Sequence, residues 1–169
     1  SDSQNVFIAP YQGSITMKKN RGFQFSGRID AGLFTFYGSN FFFDYEQFKI
    51  NLQKVDSLSI RVQTDERDNF GFAKLAGVKN IIRNLTGDLL IDDPSNKSGV
   101  KGLKQYPVFQ SRENAYVYFD NPDIQKGVYA RDKFYFQVFP FVIDSLDRFS
   151  KNDMQFRGKF VSAGIFPEM

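Results

Sequence analysis

The 169-residue chain has 22 Lys and Arg against 19 Asp and Glu, and it has neither His nor Cys. Those absences exclude disulfides, thiolate chemistry, zinc sites of the Cys/His kind and a histidine general base. A net charge of +3, with a densest basic run of only Lys18, Lys19 and Arg21, lacks the clustered basic face of a nucleic-acid binder. No segment reaches the roughly 18 consecutive apolar residues of a membrane helix, so no transmembrane helix is expected.

The remaining composition points to strands. Phe occurs 21 times, Tyr 8 times and Trp not at all. Aromatic residues fit a pleated, half-buried surface, and the length suffices for one sizeable core. We therefore expect a single β-rich module over 1–169. The chain opens on Ser1 and stops at FPEM just after a strong apolar pattern, so the module reads as a fragment of a larger protein.

In chain order, Val6 to Ile8 followed by Pro10 and Gly13 suggests a short edge strand and a turn. Ile15 to Met17 suggests another, and Lys18 to Gly22 a charged turn. From Phe23 onward one strand follows another. Phe23, Phe25 and Gly27 alternate with Gln24 and Ser26, and Leu33 to Tyr37 ends at Gly38, Ser39 and Asn40. Phe41, Phe42 and Phe43 form a run too short to specify its own face. Phe48, Ile50 and Leu52 alternate with Lys49 and Asn51, then Leu58, Ile60 and Val62 with Ser59 and Arg61. Strands recurring every 8 to 10 residues leave no room for βαβ crossovers. They predict a mainly β, antiparallel sandwich-like or β-solenoid-like module.

Thr64 to Gly71 reads as a charged loop. Val78, Ile81, Ile82 and Leu85 then recur at helical spacing, which predicts one short helix near 74–84. Leu89 to Ile91 returns to strand, and 92–102 is a polar loop punctuated by Pro and Gly. Ala115 to Phe119 is a strand with apolar or aromatic residues on both faces, hence central or covered. Phe134 to Phe139 is the next, and Pro140 marks an edge, bulge or bend. Phe156 to Val161 is the last firm strand.

Phrases recur within the chain. Gln24-Phe25-x-Gly27 matches Gln155-Phe156-x-Gly158, and Ala31-Gly32-Leu33-Phe34 matches Ala163-Gly164-Ile165-Phe166. Val55-Asp56-Ser57-Leu58 matches Ile143-Asp144-Ser145-Leu146, but in the reverse order relative to the others. A repeat cut at different phases would give that order, and so would compositional similarity between glycine-punctuated strands. In both copies the in-strand glycine suits a close backbone approach and the second glycine a corner of positive φ.

Four stretches carry a resemblance: FSGRIDAGLFTFYG, NLTGDLLIDDPSNKSG, RDKFYFQVFPFVIDSLD and FRGKFVSAGIFP. Together they cover much of the chain. They resemble segments of large, uncharacterised exported cell-envelope proteins of Bacteroidetes bacteria, built of many β-rich units. The resemblance implies an extracytoplasmic location, in the periplasm or associated with the outer membrane. The implied partners are neighbouring modules of the same polypeptide or other envelope proteins. It brings no catalytic signature and no cofactor.

Candidate sites are surfaces more than motifs. Tyr37, Tyr45, Tyr116, Tyr118 and Tyr129 suit a glycan or protein surface, since tyrosine combines a ring with a hydroxyl. Phe41, Phe42, Phe43, Phe134, Phe136, Phe139 and Phe141 exceed what alternation needs and could line a hydrophobic groove for lipid, or lie beneath packed structure. Arg28, Lys49 and Arg61 could share an outer face. Asp92, Asp93, Ser95 and Asn96 offer oxygen ligands, but without the spacing of a twelve-residue Ca²⁺ loop, so a solvated turn is expected and no metal site. Asp65, Glu66 and Asp68 read as a charged hairpin loop. Asp44, Glu46, Asp56 and Asp144 are further carboxylates, and catalysis would need two of them at a set separation. The expected function is a structural or protein-interaction module without catalysis, with a glycan- or lipid-binding module as the alternative.

Overall fold

The computed structural model describes residues 4–77, 82–120, 122, 125–153 and 155–164. Its centre is an antiparallel meander of β3 (Phe23–Ala31), β4 (Phe34–Asp44) and β5 (Lys49–Arg67). The register aligns inward residues in rows: Phe25 beside Phe41 beside Leu52, and Ile29 beside Phe36 beside Leu58. Cross-strand rows of this kind are what an antiparallel sheet uses to bury one face. On the far side of β3 lie β1 (Val6–Pro10) and β2 (Thr16–Met17).

At β5 the sheet divides. Lys49 to Val55 pairs with β8 (Leu85–Leu90), which pairs with β9 (Val108–Ser111), which pairs with β12 (Val142–Ile143). This is the inner arm. Leu58 pairs with Ile82 of β7 (Ile82–Arg83), and β10 (Ala115–Tyr118), β11 (Phe134–Val138) and β13 (Gly158–Ser162) follow. This is the outer arm. The last third of β5 forms a hairpin with β6 (Ala73–Gly77).

The inner arm curls back over the meander. The rings of Phe36 in β4 and Phe109 in β9 meet at 5.2 Å, and Phe34 meets Phe149 edge-on at 5.0 Å. The 145–149 turn fills the side that the sheet leaves open. Leu33 donates its N–H to the Leu146 carbonyl at 2.8 Å, and Leu146 is fully buried. The result is a mainly β, antiparallel open sheet, not a closed barrel, wrapped sandwich-like around one core. That core includes Ile29, Phe34, Phe36, Phe41, Ile50, Leu52, Leu58, Leu85, Leu89, Phe109 and Leu146.

Bulges set the faces. Register slips between Phe25/Gly27 and between Leu52/Val55, and each extra residue reverses which side the following side chains face. Phe36 and Phe41 therefore both point inward although five apart, and both are fully buried. Val55 and Leu58, three apart, are likewise both buried.

The expectation of a helix near 74–84 is corrected. Residues 73–77 are β6 and 82–83 are β7; 78–81 lie outside the described residues. The three- and four-residue spacing of Val78, Ile81, Ile82 and Leu85 spans a junction. Ile82 faces the core from β7, Asn84 turns the chain at φ 56°, and Leu85 starts β8. Helical segments among the described residues are three-residue 3-10 turns. Pro140 marks a bend: Phe139 donates to the Arg157 carbonyl on the outer arm, and the Phe141 carbonyl accepts from Ser111 on the inner arm. The chain changes arms there.

The recurring glycines have local reasons. A Cβ on Gly27 would lie 2.4 Å from the Ala9 carbonyl oxygen, and one on Gly158 2.1 Å from that of Gln137. Gly32 has φ +59° and Gly164 φ +80°. In the Asp-Ser-Leu phrases, Ile143 packs against the core and Leu146 is buried, the same inward pair as Val55 and Leu58. Ile165 and Phe166 of the matched phrases lie outside the described residues.

Candidate functional site

Alternation along β10 sends Ala115 and Val117 toward the core, where Ala115 is fully buried, and turns Tyr116 and Tyr118 to the opposite face. Pairing then extends this outer face. Tyr135 of β11 lies opposite Tyr118, Gln137 opposite Tyr116, and Arg83 of β7 opposite Tyr116 on the other side. Three half-buried tyrosines form one cluster. Tyr116 and Tyr118 lie parallel within 8° at 6.1 Å, and Tyr135 meets them edge-on at 5.8 and 6.4 Å.

Arg131 borders the cluster. Its guanidinium lies 4.6 Å from the Tyr118 ring centroid, and its Nε donates to Asp120 Oδ2 at 2.8 Å. The cation is thus fixed by both a ring face and a carboxylate.

Beside the tyrosines the dividing arms leave a cleft. Its cause is the change of partner along β5, from β8 at Val55 to β7 at Leu58. The cleft encloses about 460 Å³ and takes in Lys54, Asp56, Arg83, Thr86, Glu113 and, on the tyrosine side, Tyr118 with Arg131. Arg83 donates to the Asp56 carbonyl at 3.3 Å. The hydroxyl of Thr86 is buried in the cleft wall without a hydrogen-bond partner among the described residues. Cationic donors and carboxylate acceptors therefore face one space with the Tyr118 ring at its border.

Two of the five tyrosines expected at a binding surface meet here, Tyr116 and Tyr118. Tyr129 stacks on Phe134 at 4.3 Å, on the other face of β11 from Tyr135. Tyr37 lies on β4 opposite Arg28. Two cations stand over the Tyr45 ring, Arg21 at 5.2 Å and Lys97 at 5.1 Å, and the second ties the β4–β5 turn to the 94–99 loop. Tyr135 was missed. Its signal was its place in a strand whose alternate residues, Phe134 and Phe136, are both apolar.

The seven phenylalanines do not gather in one place. Phe41 is core, and Phe43 packs on Phe23 at 4.8 Å, while Phe42 lies on the other face of β4 against the backbone of Gly22. Phe134 and Phe136 belong to the apolar face of the outer arm, where Phe134 meets Phe160 at 5.0 Å and Phe119 at 5.6 Å. Phe141 packs between Phe109 at 5.8 Å and Phe156 at 4.9 Å, beside a cavity of about 400 Å³ that also takes in Ile143, Phe149 and Asp153. Phe139 is exposed. No described ring pair joins the Phe41–Phe43 group to the other four.

Several of the acidic groups serve turns. Buried Asp92 accepts from the Asp93 N–H at 2.7 Å, Asn96 Nδ2 at 2.8 Å and Gln4 Nε2 at 3.3 Å, so N–H donors occupy the carboxylate. Asp93 accepts from the Ser95 hydroxyl at 2.6 Å and the Ser95 N–H at 2.8 Å, and these bonds hold its pKa below the usual value. The loop closes on itself through Asn96 and Lys101. Asp44 accepts from the Gln47 N–H in its turn, Asp56 borders the cleft, and Asp144 lines the cavity beside β12. Glu66 pairs with Lys74 and Asp68 caps the hairpin tip. The basic trio is separately engaged: Arg28 with Asp30, Lys49 with Asp88, and Arg61 with the Gly32 carbonyl.

Comparison with protein-family models, curated proteins and solved structures finds no match.

Proposed function

We propose that the chain is a non-catalytic binding module that takes a carbohydrate chain on the tyrosine face of the outer arm. The observation that carries this reading is the Tyr116–Tyr118–Tyr135 cluster, which meets the cleft of Arg83, Arg131, Asp56 and Glu113 through Tyr118. A sugar ring offers an apolar C–H face to aromatic rings and hydroxyls that both donate and accept. It therefore matches a site combining rings with cationic donors and anionic acceptors. The curled core acts as a rigid scaffold for the arm. As the resemblance implies, the module would serve in a large extracytoplasmic cell-envelope protein.

Affinity electrophoresis through gels containing soluble polysaccharides tests the reading. At least one polysaccharide should retard the chain, and Tyr116→Ala combined with Tyr135→Ala should abolish the retardation while Tyr37→Ala leaves it. Unretarded migration in every neutral and acidic polysaccharide tried would sink it.

A second reading, docking against a neighbouring module, is favoured by the other face of the same arm. Phe119, Phe134, Phe160 and Tyr129 pack on one another there, and Phe119, Phe134 and Phe160 are only half-buried. A partner on that side would complete their burial, and Phe160→Ser would weaken that contact without affecting polysaccharide retardation.

A further inference from the structure

We propose that the β5–β6 hairpin is a membrane-interface anchor whose tip residues, Phe70 and Phe72, enter the surface of a zwitterionic phospholipid bilayer. Beyond Val62 no residue of this hairpin is buried, so it stands out from the body as a finger. Its tip carries two aromatic rings 85% and 71% exposed. Isolated exposed apolar residues need no explanation, but two large rings at one protruding turn do.

The tip is built to leave water. The N–H groups of Asp68, Phe70, Gly71 and Phe72 all donate within it: Asp68 to the Phe72 carbonyl, Gly71 to the Asp68 carbonyl, and Phe70 and Phe72 to Asp68 Oδ1. Arg67 Nη1 donates to the Gly71 carbonyl at 3.3 Å. An apolar medium penalises backbone groups that water alone satisfies, and these are satisfied without it. These four N–H groups therefore add little desolvation cost as the rings enter the acyl boundary.

The residues below the tip choose the kind of surface. Asp65 and Glu66 are acidic, Arg67 and Lys74 are basic, and Lys74 Nζ stands 3.1 Å from Glu66 Oε2. This mixed collar complements a headgroup that carries both a phosphate and an ammonium. With Asp68 included, the hairpin end has three acids against two bases, so attraction to anionic lipid is not its driving force. Binding should come from ring burial and should survive high salt.

The chain has no Trp, so an introduced indole reports alone. Phe70→Trp is titrated with dioleoylphosphatidylcholine vesicles, with Val100→Trp, an equally exposed position in a different loop, as control. Phe70→Trp alone should show a blue shift and quenching by brominated acyl chains, unchanged in 1 M NaCl. Adding Phe72→Ser should reduce partitioning by about tenfold or more, the scale of one buried aromatic side chain. An unchanged emission for Phe70→Trp overturns it, as does an equal response from Val100→Trp. A blue shift that grows with protein concentration without vesicles also overturns it, by showing that the tip docks on another copy.

Discussion

Arg131 stands over the ring of Tyr118 at 4.6 Å while its Nε is bonded to Asp120 at 2.8 Å. Both partners of the ion pair are partly exposed, at 58% and 33% of their side-chain surface. Such a pair contributes about 1 kcal/mol or less to stability, and the cation–ring contact adds a similar amount. The arrangement therefore matters more for where a donor sits than for holding the fold. Arg131→Ala should lower polysaccharide binding severalfold while shifting the thermal midpoint by only a few degrees. Asp120→Asn should give a smaller loss of the same kind, because the guanidinium keeps its ring but loses its anchor. Calorimetric melting beside affinity electrophoresis measures both. A large drop in melting temperature with unchanged binding would make the pair structural instead.

Gly32 and Gly164 separate two kinds of cost. Both have positive φ, at +59° and +80°, but a Cβ on Gly32 would lie 2.5 Å from the Asp147 nitrogen, whereas one on Gly164 meets nothing within 4 Å. Gly164→Ala should cost only the left-handed backbone penalty, about 1–2 kcal/mol. Gly32→Ala adds an overpacking clash of about 1–3 kcal/mol against the backbone. It should also loosen the 145–149 turn from the core. Urea titrations of the two variants give the difference, and equal losses would mean that this turn does not press on Gly32.

Two carboxylates in turns give the chain a defined response to acid. Asp93 is held below its ordinary pKa of 3.8 by bonds from the hydroxyl and N–H of Ser95, and Asp153 by the same two groups of Ser150. A depressed folded-state pKa contributes stability above the unfolded value, and that contribution is lost as pH falls through the folded one. Turn stabilisation should therefore be intact above about pH 4 and fade only in stronger acid. Carboxyl chemical shifts followed by NMR should place both midpoints below the ordinary value of 3.8. Ser95→Ala should raise the Asp93 midpoint and leave that of Asp153 in place; a common rise would point to general unfolding.

Much of the sheet was legible because period-two alternation is a direct record of a half-buried strand. β3, β10, β11 and the 49–52 and 58–62 stretches of β5 fall where alternation put them, whereas Thr64 to Arg67, which reads as a charged loop, continues β5. The face of Phe41 to Phe43 was not legible. A bulge within β4 decides it, and nothing in three consecutive phenylalanines encodes a bulge. The 74–84 region misled because helical spacing also arises when a turn separates two short strands that face one core, as Ile82 and Leu85 do. At the site, Tyr116 and Tyr118 could be read as one face of a strand. That Tyr135 joins them follows from the β10–β11 register, which a 15-residue connection does not fix. The cleft was illegible in principle, since it exists only because β5 exchanges one partner for another.

The contact of Phe36 with Phe109 is where the inner arm meets the meander, and it tests the curl itself. The residues are 73 positions apart in sequence, and their rings meet at 5.2 Å with both side chains fully buried. Truncating either to Ala should destabilise by about 3–5 kcal/mol. If the arm folds onto β4, the two losses must not add. The double variant should cost less than the sum by about 0.5–1.5 kcal/mol, the scale of a direct aromatic pair. Phe36→Leu and Phe109→Leu serve if the alanine variants do not fold, since the cycle needs only a reduced contact on each side. Strict additivity in urea titrations would mean that the rings do not touch in solution. The inner arm would then lack the aromatic contact that fixes it over β4.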